Sequence, residues 1–83
     1  MKIENITKKV NSKIYGVFIE NVCDSLQGYY TTKEEAIKKA KKEFDLVNKP
    51  IHVELYVWND EEGEYIPANS FDNSIDCTVA IID

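Results

Sequence analysis

Few side chains in this chain could do chemistry. His52 is the single histidine of 83 residues, and nucleophilic catalysis built on it would need a serine, cysteine or threonine nucleophile and an orienting acid. It lies in an alternating segment with no nucleophile motif beside it, and it reads as a structural or exposed histidine. Cys23 and Cys77 are too few and too far apart for a zinc ligand set, and two cysteines do not make a disulfide scaffold. They read as reduced core thiols, with an incidental or regulatory disulfide as the alternative. Gly16, Gly28 and Gly63 match neither a P-loop nor a dinucleotide fingerprint. No acid sits in an apolar setting that would raise its pKa for acid–base work. The expectation is a protein that is not an enzyme and takes no metal or cofactor.

Charge is more informative. Residues 1–47 hold nine lysines against seven acids, whereas residues 48–83 hold one lysine against eight acids, so one half carries +2, the other −7, and the chain −5. Asp60, Glu61, Glu62 and Glu64 fall within five positions. Like charges that close raise the free energy of the folded state unless a cation or basic partner compensates them. A field this lopsided suits electrostatic steering toward a positive partner. The competing reading is a polar turn that keeps a hairpin soluble and blocks edge pairing. The segment lacks the alternating ligands and final bidentate glutamate of an EF-hand calcium loop.

The opposite reading of the charge uses Lys38, Lys39, Lys41 and Lys42 as a phosphate-neutralising row on a helix. A pI near 4.8 and the acids Glu34, Glu35 and Glu43 on the same helix favour a solvated face instead. All ten basic residues are lysines, whereas arginine is preferred for bidentate phosphate capture and for guanine edges. Direct nucleic-acid binding is therefore the second reading.

The elements that must position these groups follow from local patterns. Thr32 with Glu35, or Thr31 with Glu34, forms a capping box that starts a helix. Ala36, Ile37, Ala40, Phe44 and Val47 then line one stripe at the helical period. Asn48 tolerates a left-handed cap and Pro50 disfavours helix before it, which places the helix at 32–47. Residues 51–59 alternate, with Ile51, Val53, Leu55 and Val57 on one face and His52, Glu54, Tyr56 and Trp58 on the other, as a half-buried strand requires. Asp60–Gly63 makes a hairpin turn, and residues 64–66 return as a strand that Pro67 confines to an edge. Residues 13–22 suit a central strand with both faces partly apolar. A strand over residues 3–10, reaching it through Asn11-Ser12, and a last strand over residues 75–82 complete the order β-β-α-β-β-β.

One helix covers one face of four or five strands, so the expected fold is α+β: a two-layer sandwich of one helix on a mostly antiparallel sheet, residues 1–83 forming a single domain. The uncovered face then matters. Tyr56 and Trp58 lie on it, and Tyr65 stands opposite Trp58 if the turn is four residues long. These aromatics form either a partner-binding platform or a second small core under residues 68–74.

The stretch Tyr30-Thr31-Thr32-Lys33-Glu34-Glu35-Ala36 followed by Val53-Glu54-Leu55-Tyr56-Val57-Trp58 is similar to the capped helix and valine–tryptophan strand of many small proteins of low-GC bacteria and their phages. In size, acidity and lack of catalytic motifs the chain resembles phage-encoded anti-CRISPR and other anti-defence proteins. That resemblance implies an inhibitor that occupies the basic nucleic-acid-binding surface of a host nuclease complex, in the host cytoplasm. No residue motif defines the class, so no site transfers from it. The candidate partner-binding residues are Asp60, Glu61, Glu62, Glu64, Tyr56, Trp58 and Tyr65, the expected partner is a basic protein surface such as a CRISPR effector, and an exposed sheet edge leaves a homodimer open. No apolar run is long enough to span a bilayer and the start lacks a signal-peptide layout, so no membrane role is expected.

Overall fold

The computed structural model describes residues 2–3, 11–22 and 25–83. They form β1 (Lys2–Ile3), β2 (Lys13–Ile19), β3 (Tyr29–Tyr30), α1 (Lys33–Val47), β4 (Ile51–Asn59), β5 (Glu64–Pro67), α2 (Ala68–Phe71) and β6 (Thr78–Ile82). This is an α+β fold with one main helix on an open antiparallel sheet.

α1 begins where the capping box requires. Thr32 is extended (φ −124°, ψ 150°), and its hydroxyl oxygen accepts the Glu35 amide at 3.2 Å. The same hydroxyl donates to the Glu35 carboxylate, so Thr32 is the cap and not Thr31. A side-chain cap of this kind stabilises a helix by about 1 kcal/mol. At the other end Asn48 takes the left-handed conformation (φ 55°) and donates its amide to the Phe44 carbonyl at 2.8 Å.

β4 is the hub of the sheet. Along one edge it pairs with the whole of β2, from Lys13 opposite Val57 to Ile19 opposite Ile51. Its other edge is shared. β5 pairs with residues 56–59 and β6 with residues 51–54, with a bulge at Val53/Glu54. β3 lies beyond β2, and β1 beyond β3. β2 stops at Ile19 because Glu20 and Asn21 turn the chain, Asn21 at φ 60°. Ser25 then returns alongside, its hydroxyl accepting the Ile19 amide at 2.9 Å and donating to the Ile19 carbonyl at 3.0 Å.

The core lies between α1 and one face of the sheet. Val17, Tyr30, Ala36, Ala40, Ile51 and Val53 are buried there, with Ile19, Phe44, Ala80 and Ile82 packed against them. Ala36 and Ala40 lie one helical turn apart on the same face and are fully buried. Their small side chains let the helix axis approach the strands. Ile51 and Val53 alternate inward from β4 as the strand period demands.

Three expectations change. β1 pairs with β3, which separates Lys2–Ile3 from β2; the rest of that expected strand, residues 4–10, which the hairpin through Asn11-Ser12 would join to β2, lies outside the described residues. The two-residue β3 and the one-turn α2 carry too few residues for a periodicity to be read. The last strand is shorter than residues 75–82, because side chains capture the backbone ahead of it. Asp72 accepts from the Ser74 amide and hydroxyl and Asp76 accepts from the Thr78 amide, a local competition that Asp and Ser favour over a ladder. Ile75 is exposed as a result.

Candidate functional site: the open face of the sheet and its acidic hairpin

Because α1 packs on the odd-numbered side of β4, the even-numbered side chains face the other way. Cross-strand register sets them in rows. His52 lies between Phe18 and Ile81, Glu54 between Gly16 and Thr78, and Tyr56 between Ile14 and Pro67, while Trp58 stands opposite Tyr65. Tyr29, on β3, meets the Tyr56 ring edge-on at 5.4 Å, and Phe18 stacks on Tyr56 at 6.3 Å. Gly16 leaves the space for this. A Cβ placed on it would lie 2.9 Å from the Phe18 ring and 3.3 Å from that of Tyr29.

The expected opposition of Trp58 and Tyr65 is present. The turn Asp60–Gly63 has four residues, Gly63 supplies the positive φ of 66°, and the Asn59 side-chain oxygen accepts the Glu61 and Glu62 amides. The two rings meet edge-on at 5.1 Å. The Tyr65 hydroxyl accepts the Asn11 amide and donates to the Asn11 carbonyl, and the Trp58 amide donates to the Ser12 carbonyl. The aromatic pair thus ties β5 to the start of β2 across the end of β4. Residues 68–75 lie beside these aromatics: Ala68, Asp72 and Ile75 share a hollow with Trp58, Leu55 and Val57, and Asn69 shares one with Tyr56.

Asp60, Glu61, Glu62 and Glu64 are all exposed. Among the described residues none of them pairs with a lysine; Lys39 pairs with Glu43 at 2.7 Å, and the His52 ring lies near the Glu20 and Glu54 carboxylates. The four carboxylates therefore project from one end of the β4–β5 ribbon with no lysine beside them among the described residues. The lysine face is interrupted. Lys39 is held by Glu43, whose hydrogen bond raises the ammonium pKa, and the shallow hollow beside Lys38, Lys39 and Lys42 also contains Glu35.

The residue patterns missed a second group. The His52 ring nitrogens lie 3.3 Å from the Glu20 carboxylate and 3.7 Å from that of Glu54. The Thr78 hydroxyl donates to both Glu54 oxygens at 3.0 and 2.9 Å. Glu54, Tyr56, Cys77 and Thr78 line a hollow of about 360 Å³ with Phe18 and Pro67. His52 and Glu54 share a strand face by alternation, which is legible in the sequence; Glu20, Cys77 and Thr78 arrive from other elements and carry no local signal. Cys77 is a free thiol, while Cys23 lies outside the described residues. Burial, reinforced by the neighbouring Glu54 and Asp76, pushes the Cys77 pKa up, and the thiol form is a poor nucleophile. Among the described residues no three His, Cys, Asp or Glu side chains converge as a metal site would require.

Burial pushes the Tyr56 phenol up to about 12 from its ordinary 10.0, with added repulsion from Tyr29, Glu54 and Cys77. A group whose pKa is raised on folding contributes stability that is complete below the unfolded value and is lost as the pH climbs to the folded one. Unfolding free energy measured against pH should therefore fall between about pH 10 and 12 in part through Tyr56. Tyr56→Phe removes that titration, so its profile should be flatter over this window. Identical slopes for the two proteins would show that Tyr56 ionises as freely as an exposed tyrosine.

Comparison with protein-family models, curated proteins and solved structures finds no match. The functional reading rests on the chain's own residues. Among the described residues no helix is long and apolar enough to cross a membrane.

Proposed function

We propose that the protein is a non-enzymatic acidic interaction module that docks on a basic, nucleic-acid-binding protein surface and competes with nucleic acid for it. An anti-CRISPR or other anti-defence inhibitor of phage origin, acting on a host nuclease complex in the cytoplasm, is the biological role this reading fits best. The observation that carries it is the set of four exposed carboxylates at 60–64, with no lysine partner among the described residues, set on the β4–β5 ribbon beside the Trp58–Tyr65 ring pair. Such carboxylates supply steering and specificity, and partly exposed aromatics supply the desolvated contact that steering alone lacks. Tyr56 stands one row further along the same face.

A competition experiment tests the proposal. Guide-loaded CRISPR effectors are bound to labelled target DNA at low salt and the protein is added. Release of DNA in proportion to added protein, with no shift of free DNA by the protein alone, is the expected result. Retention of free DNA by the protein would instead support the lysine-face reading, because a row of ammonium groups holds polyanions most strongly at low salt. If DNA is neither released nor retained, both readings fall for those effectors.

A further inference from the structure

The hollow on the open face carries chemistry that neither the hairpin nor the lysine face has. Glu54 is the carboxylate among its lining residues, and its side chain is only about 20% exposed. Thr78 fixes its orientation with one shared hydroxyl proton. A carboxylate has about four lone-pair sites, so both oxygens keep acceptor capacity for another donor. Phe18 and Tyr56 border the same space, and the faces of aromatic rings attract cations. The Glu20 carboxylate adds a second negative charge on the far side of His52.

The lining thus combines one acceptor-only charge, the rings of Phe18 and Tyr56 and the neutral Pro67, Asn69, Cys77 and Thr78, with no lysine. The Glu54 charge disfavours anions and favours a cation over a neutral group of the same shape. A divalent metal would require more oxygen ligands than one carboxylate and a hydroxyl. The geometry points to this hollow as the seat of one cationic side chain, an arginine guanidinium or a lysine ammonium presented by a basic partner. The identity of that occupant rests on the docking function proposed above, which it deepens by naming the group the partner inserts. The cation preference itself rests only on Glu54, Phe18 and Tyr56.

The test uses small probes and needs no partner. The ¹⁵N-labelled protein is titrated with N-acetyl-arginine amide, N-acetyl-lysine amide and the uncharged isostere N-acetyl-citrulline amide, and amide shifts are followed by NMR. Saturable shifts centred on Gly16, Phe18, Glu54 and Thr78 are expected for the two cations and not for citrulline. Glu54→Gln keeps the shape and a Thr78 acceptor but removes the charge, so cation binding should weaken by about tenfold, the scale of one lost charged hydrogen bond. Phe18→Leu, which keeps the carboxylate and removes a ring, should also weaken it, and it serves if Glu54→Gln does not fold. A variant neutralised at residues 60, 61, 62 and 64 should bind the probes in the hollow as wild type does. Shifts confined to residues 60–64, equal binding of citrulline, or indifference to both hollow variants would each overturn the assignment. DNA displacement by the whole protein is read separately, so the docking function can stand when the probes fail, and the reverse.

Discussion

Replacing Ile51 by alanine should cost about 2–5 kcal/mol of unfolding free energy, the range for removing a fully buried aliphatic side chain. Ile51 has no exposed surface. It stands between Ile19 on β2 and Ile82 on β6, within the core that the alanine face of α1 closes. The methyl groups of Ala36 and Ala40 are too short to fill the gap. A domain of this size has about 5–15 kcal/mol in total, so the loss is a large share, and the melting temperature should fall by roughly 10–30 °C. Leu46→Ala is the internal comparison. Leu46 is 78% exposed on the same helix, and its truncation should change stability by no more than about 0.5 kcal/mol. Urea denaturation followed by circular dichroism measures both. Equal midpoints for the two variants would mean that the core does not lie where the helix meets β4.

Neutralising Asp60, Glu61, Glu62 and Glu64 together, as Asp60→Asn with Glu61→Gln, Glu62→Gln and Glu64→Gln, should slow association with a basic partner by about 10–100-fold at low salt. Four of the five net negative charges disappear. The dissociation rate should change much less, because exposed charges act mainly on encounter and the contact itself belongs to the partly exposed rings. The fold should be unaffected. All four side chains are exposed, and the turn is held by backbone bonds to Asn59 that the substitutions leave in place. Stopped-flow displacement of labelled DNA from an effector, repeated across a salt series, gives the rate and its salt slope. A steep slope for wild type and a shallow one for the variant is the expected pair. Two superimposable slopes would remove the hairpin from the encounter.

Much of this architecture is written locally. Thr32, Glu35 and Asn48 mark the ends of α1 through bonds made within a few residues. The alternation of residues 51–59 marks β4 to the residue. Asn59 and Gly63 set the length of the turn, and that length places Trp58 opposite Tyr65. The candidate residues Tyr56, Trp58, Tyr65 and the hairpin acids follow from those signals alone. What depends on remote partners was not legible. Ser25 closing β2, and β3 lying between β1 and β2, are decided by a side-chain bond and by pairings whose periodicity is too short to read. The start of β6 at Thr78 follows local Asp captures that strand alternation does not reveal.

The order of residues by itself determined the helix, the long strand, the acidic turn and the side of β4 on which the aromatics stand, because capping bonds and strand alternation act between near neighbours. Only the tertiary structure decided that Glu20, His52, Glu54, Cys77 and Thr78 gather on one open face. They come from β4, from the chain just beyond β2 and from the start of β6, and strand register, which joins residues 24 and 32 apart, is fixed by packing the whole sheet against α1.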